Sequence, residues 1–162
     1  MSPPDRGSCY AVFSQRPDAC LDVESIRRHA SRFFAAKVGL TVDKSYGDAP
    51  PQVDAARVVL ATDDGTASGT RLCYARRSDA SDQAAAEAAE RAQATSGLAL
   101  LAARCPTLWL VVPEAEDDRT ALTLAAIFAS TMLGPILQPG GQEIFGVRTA
   151  RLKLEGRSRP YR

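Results

Sequence analysis

The stretch from Pro106 to Pro113, PTLWLVVP, decides how the rest of the chain is read. Thr107 to Val112 (TLWLVV) is a continuous apolar run of strand length with a proline at each end. A strand with one wet face alternates apolar and polar residues, whereas an unbroken run belongs to a strand covered on both faces. TLWLVV is therefore predicted to be a central strand, with Trp109 buried inside the sheet layers.

Upstream, Asp79 to Arg104 is one long Ala-rich segment that Pro106 closes, which predicts a single helix with a weak point at Ser96 and Gly97. Arg57 to Thr62 and Thr70 to Arg76 are β-rich runs on either side of DDGTASG, the pattern of a hairpin. Earlier still, Val23, Ile26, Ala30, Phe33, Phe34 and Val38 recur at three- and four-residue spacings after Asp22, a helix N-cap residue, and before Gly39, a stop. Cys9 to Ser14 suits a first strand, and Asp43 to Gln52, with Gly47, Pro50 and Pro51, reads as a loop.

Downstream, the acidic run Glu114 to Asp118 complements the positive end of a helix predicted over Arg119 to Leu133. The loop QPGGQ (Gln138 to Gln142) follows. Ala150, Leu152 and Leu154 then alternate with Arg151 and Lys153, which predicts a final strand over Ile144 to Leu154. The element order points to an α/β or α+β fold: a ferredoxin-like βαββαβ core with an extra apolar helix and a C-terminal strand. Residues 1–8 are expected to be a flexible lead-in, 9–156 a single α/β domain and 157–162 a basic tail.

At 162 residues, 45% of them hydrophobic, the chain is long enough to bury one sizeable core, and a collagenous, coiled-coil or wholly disordered protein is excluded. A net charge of +1 disfavours a globally basic nucleic-acid binder. Cys9, Cys20, Cys73 and Cys105 are scattered without a close pair, and His29 is the sole histidine, so neither a disulfide scaffold nor a zinc knuckle is written here. The N-terminus MSPPDRGSCY lacks the basic and apolar regions of a secretory signal, and the expected location is cytoplasmic.

Catalytic signatures are missing: there is no Walker A, GxGxxG, GxSxG or HExxH sequence. Asp63 and Asp64 at the hairpin tip have no companion lysine on the next strand, where Arg71, Arg76 and Arg77 stand, so they read as solvated turn carboxylates. A thiol activated by His29 is disfavoured because Cys9 and Cys73 sit in predicted strands and Cys105 abuts Pro106. The basic sets Arg27, Arg28, Arg32, Lys37 and Arg148, Arg151, Lys153, Arg157, Arg159, Arg162 track phosphates less well than they suit wet faces. No catalytic residue, metal or cofactor is assigned, and whether the chain is an enzyme stays open, with the balance leaning toward a non-enzyme.

The least ordinary stretch is Thr120 to Leu137, TALTLAAIFASTMLGPIL, which carries no charge. Gly134 and Pro135 shorten its helical part below a membrane span. A helix apolar all round exceeds what one sheet face covers. The leading expectation is therefore a cytoplasmic protein-binding subunit or adaptor, working with a protein partner or as a homo-oligomer. Its binding residues would be Leu122, Ile127, Phe128 and Met132 on the helix, with Gln142 and Phe145 from the adjacent Gly-rich loop. The alternative is a small enzyme or small-molecule binder with a pocket between the loops Asp43–Gln52 and Gln138–Phe145. A nucleic-acid binder using the Arg-rich faces stands third.

Overall fold

The computed structural model describes residues 4–17, 19, 21–46, 52–93 and 97–158. Its strands are β1 (Tyr10–Ser14), β2 (Ala36–Tyr46), β3 (Gln52–Thr62), β4 (Ser68–Arg77), β5 (Thr107–Val111), β6 (Ile136–Leu137) and β7 (Ile144–Phe145). Its helices are α1 (Val23–Phe34), α2 (Ala80–Gln93), α3 (Leu98–Ala103), α4 (Arg119–Met132) and α5 (Val147–Ser158). The strands form one seven-stranded sheet in the order β2-β3-β4-β5-β1-β6-β7, with every neighbouring pair antiparallel. The α+β class holds. The ferredoxin-like arrangement is not confirmed, because the sheet is more extensive and β1 is inserted between β5 and β6.

β5 lies at the centre of the sheet, and all five of its residues are buried. Side chains alternate across a strand, so Trp109 and Val111 enter one core while Leu108 and Leu110 enter the other. The first core lies under α1, α4 and α5, and the second under α2 and α3. Trp109 is fully buried and meets the Phe128 ring edge-on, at a centroid distance of 5.7 Å.

Four sequence expectations need correction. The first helix stops at Phe34 rather than Val38, because Ala35 turns left-handed (φ 48°) and the chain re-enters as β2. Ala36, Val38, Leu40 and Val42 are the period-two pattern of that strand, and Gly39 lies inside it rather than ending a helix. Half of the expected loop over 43–52 is strand, as residues 43–46 close β2 and 52 opens β3, while 47–51 lie outside the described residues. The Ala-rich segment is two helices. Gly97 (φ 97°) starts α3, and Glu90 of α2 accepts the N–H groups of Leu98 and Ala99 at 2.8 and 3.2 Å. Finally, the expected C-terminal strand is β7 followed by α5. Ala150 and Leu154, four residues apart, are buried on one face of that helix, and Leu152 is exposed.

The expected lead-in includes a 3₁₀ turn at Arg6–Ser8, and Arg6 is tied to Asp82 of α2 at 2.9 Å. Asp82 also accepts a two-armed bond from Arg76 of β4 at 2.6 and 2.7 Å. Burial alone would raise this carboxyl, but the bonds from Arg76, Arg6 and the Asp79 N–H outweigh it and hold it at about 2. No helix among the described residues is long and apolar enough to cross a membrane.

Candidate binding cleft

α4 is buried over nearly its whole surface. Leu122, Ile127, Phe128 and Met132 are at most 3% exposed, enclosed by the sheet on one side and by α1 and α5 on the others. The apolar excess read from the sequence is thus covered within the chain, and these four residues do not form a surface. Phe145 is buried as well, with the Lys153 ammonium 5.1 Å from its ring centre. Of the six expected binding residues only Gln142 is exposed.

Gln142 lies on the rim of a cleft of about 690 Å³ at one end of the central strands. Antiparallel pairing explains its location. Tyr10 opposite Val111 and Ala11 opposite Leu137 bring the start of β1, the end of β5 and the end of β6 to the same end of the sheet. Three chain segments meet there: residues 7–10, 113–117 and 138–142. The Gly140 N–H donates to the Gly7 carbonyl at 2.8 Å, and the Gln138 N–H to that of Glu143 at 2.9 Å. Gly140 and Gly141, at φ 87° and 71°, supply a turn that other residues rarely adopt.

Opposite the Gly-rich loop stands the acidic run. Asp117, at φ 60°, turns the chain so that Asp118 can cap α4, accepting the Ala121 N–H at 3.1 Å and the Glu114 N–H at 2.8 Å. Glu114, Glu116 and Asp117 are exposed and line the cleft, where the Gln138 and Gln142 carboxamides face the same space. Among the described residues the lining carries no lysine, arginine or histidine. Glu114 is paired loosely with Arg71 at 3.4 Å and is itself 69% exposed, so water screens that contact. The chemistry available is attraction of positive charge together with amide and hydroxyl hydrogen bonding.

The sequence pointed to the Gly-rich side of this cleft and missed the acidic side, which it read only as a complement to the helix dipole. A signal was present, since Glu114 to Asp118 immediately follows the strand expected at the centre. The other expected pocket wall, the loop over 43–52, is not part of the cleft among the described residues.

Elsewhere, the candidate chemical groups are engaged or buried. His29 Nδ1 is 2.6 Å from Ser130 Oγ, which links α1 to α4. Cys9, Cys73 and Cys105 are free and buried; burial pushes all three thiols up, Cys105 to about 11. Cys20 lies outside the described residues. Asp64 accepts the Thr66 hydroxyl at 2.7 Å and the Thr66 N–H at 3.0 Å, bonds that lower its carboxyl to about 2. No group of three His, Cys, Asp or Glu residues that could hold a metal occurs among the described residues. No family model, curated protein or solved structure matches the chain.

Proposed function

We propose that the domain is a protein-binding subunit whose acidic cleft receives a positively charged segment of a partner protein. The observation that carries this reading is the juxtaposition of Glu114, Glu116 and Asp117 with the Gly-rich loop at Gln138–Gln142, in a cleft whose lining has no basic residue among the described residues. Carboxylates gathered in a concave site attract and orient Lys or Arg side chains, and the carboxamides of Gln138 and Gln142 add directional bonds. The binding surface thus passes from the face of α4 to the loops at the end of the sheet. A volume of about 690 Å³ also suits a small organic cation, which is the second reading. The free, buried thiols of Cys9, Cys73 and Cys105 suit a reducing compartment, and we place the domain in the cytoplasm.

The test is calorimetric titration with a hexapeptide containing three arginines, with spermidine as the small-molecule arm. Peptide binding that weakens with salt, and weakens about tenfold in Glu116→Gln plus Asp117→Asn, supports the adaptor reading. Tighter binding of spermidine supports the second reading. Binding of neither probe, or binding untouched by the double substitution, rejects the cleft as a cation site.

A further inference from the structure

The hydroxyl groups of α4 do not all behave alike. Those of Thr123 and Thr131 turn back onto the helix, donating to the Arg119 and Phe128 carbonyls at 2.8 and 2.9 Å. Ser130 instead places its Oγ 2.6 Å from Nδ1 of His29 on α1. Both residues are half-buried, and the Phe33 ring, one turn on from His29, packs against the imidazole at a centroid distance of 5.4 Å. A serine hydroxyl bonded to an imidazole is the pairing that makes serine nucleophilic: with the second ring nitrogen protonated, Nδ1 accepts the Oγ–H.

Ser130 also lines a groove of about 310 Å³, which lies at the opposite end of β1 from the acidic cleft. Leu98 and Leu101 of α3, Leu133 and Pro135 after α4, and Val147 at the start of α5 form its walls, and among the described residues Ser130 is its one polar side chain. Gly146 lines it too, and a Cβ built there meets nothing within 4 Å, so the space beside it is open.

Two helix ends of opposite sign border this groove. α4 ends at Met132, two residues after Ser130, with its last carbonyls directed outward. α5 begins at Val147 with N–H groups that have no partner within the helix, since the first bond runs from the Ala150 N–H to the Gly146 carbonyl at 3.0 Å. A carbonyl carbon attacked by Ser130 would place negative charge on its oxygen and positive charge on His29. The first charge suits the start of α5, and the second suits the end of α4.

We propose that Ser130 and His29 form a nucleophile–base pair that hydrolyses esters of small, uncharged acyl groups. Ser130 Oγ attacks the acyl carbon and its proton passes to His29 Nδ1; the ester C–O bond then breaks, and His29 returns the proton to the departing alcohol oxygen. Water next attacks the acyl carbon on Ser130 and gives one proton to His29, which hands it to Oγ as the carboxylic acid leaves. The apolar walls take the acyl chain, and a volume at the lower end for ligand pockets fits a short one. This site is separate from the acidic cleft, so the two readings stand or fall independently.

The test uses para-nitrophenyl butyrate, with release of nitrophenolate followed at neutral pH, and a fluorophosphonate, whose phosphorus Ser130 Oγ captures as fluoride leaves. Saturable hydrolysis is expected, with Ser130 as the single phosphonylated residue when the parent chain is mapped by mass spectrometry. Ser130→Ala should abolish both, and His29→Gln should lower kcat about hundredfold or more. Each variant loses one partly exposed hydrogen bond, so both should keep the parent circular dichroism spectrum. Leu133→Glu, at an exposed wall residue, should raise KM for the butyrate ester. The proposal is overturned if the fluorophosphonate labels no residue or a different one, if Ser130→Ala hydrolyses the ester as fast as the parent, or if Leu133→Glu leaves KM unchanged.

Discussion

Arg71 on β4 grips Asp118, the residue that caps α4, through two bonds: Nε to Oδ2 at 2.7 Å and Nη2 to Oδ1 at 3.1 Å. The same carboxylate accepts the N–H groups of Ala121 and Glu114, so a single side chain joins the sheet, the helix start and the acidic loop. The pair is almost fully shielded, with side-chain exposures of 10% and 4%. Removing one partner leaves a buried charge without its complement. Asp118→Ala should therefore cost about 3 kcal/mol or more in chemical denaturation, and should loosen the cleft formed by 113–117 along with it.

The pH dependence follows from the same carboxylates. Burial alone would raise Asp118, but the Arg71 bonds and the two N–H groups outweigh it and hold it below the usual range; Asp82 is held at about 2. A carboxyl depressed in the folded state stabilises the fold above its unfolded pKa of about 3.9, and that stability is lost as pH falls through the folded value. The melting temperature should thus drop between about pH 4 and pH 2, with Asp82 alone accounting for roughly 2 kcal/mol. In Asp82→Asn the drop over this window should shrink, and calorimetry across the pH range checks it.

Glutamate placed at Leu122, Ile127, Phe128 or Met132 should unfold the domain, since each of these residues is at most 3% exposed. Leu133 follows directly in sequence but is 64% exposed, and Leu133→Glu should leave the circular dichroism spectrum and melting temperature nearly unchanged. Helicity retained in the first four variants would show that α4 is not the core element described above.

Gly134 is required by a close approach of two backbones. A Cβ there would lie 1.8 Å from the Phe13 carbonyl oxygen and 2.6 Å from its carbon. Neither atom belongs to a side chain that can swing away, so β1 itself would have to shift. Gly134→Ala should cost more than about 3 kcal/mol, at the upper end of overpacking effects, measured by urea denaturation.

β2 is an edge strand with one row of backbone groups unused by β3. Arg27 of α1 reaches this edge and donates to the Val38 carbonyl at 3.3 Å, and register shifts at Lys44 distort the edge further along. Arg27→Ala removes the first guard. Sedimentation velocity should then show more self-association at high concentration than in the parent, and an unchanged profile would mean that Arg27 does not protect the edge.

Legibility in the sequence followed how local the determining contacts are. β5 was readable because unbroken apolar character implies burial on both faces; the same character located α4 as a helix but was read as a partner surface, whereas the chain itself covers it. Asp22 and Asp118 both cap helices, accepting the N–H three residues on at 3.1 Å. β2 was hidden because Val38 continues the three-and-four spacing of α1 while also beginning an alternation with Leu40 and Val42. α5 was hidden for the converse reason: Ala150, Leu152 and Leu154 alternate in sequence, yet only the first and last are buried. The cleft was half legible. Gln142 lies in an evident Gly-rich turn, but its approach to Glu114–Asp117 depends on β1 being inserted between β5 and β6, a pairing without a local signature.

That insertion also fixes an order of assembly during synthesis. β2, β3 and β4 are consecutive neighbours and can pair once residue 77 has emerged from the ribosome. β1 precedes them all, yet both of its neighbours come from residues 107–111 and 136–137. Until the ribosome has delivered those segments, Val12 and Phe13 have no sheet to enter, and closing so long a loop slows the step that finally admits them. The interval is one in which a chaperone, or another nascent chain, meets an apolar strand that the finished domain hides completely.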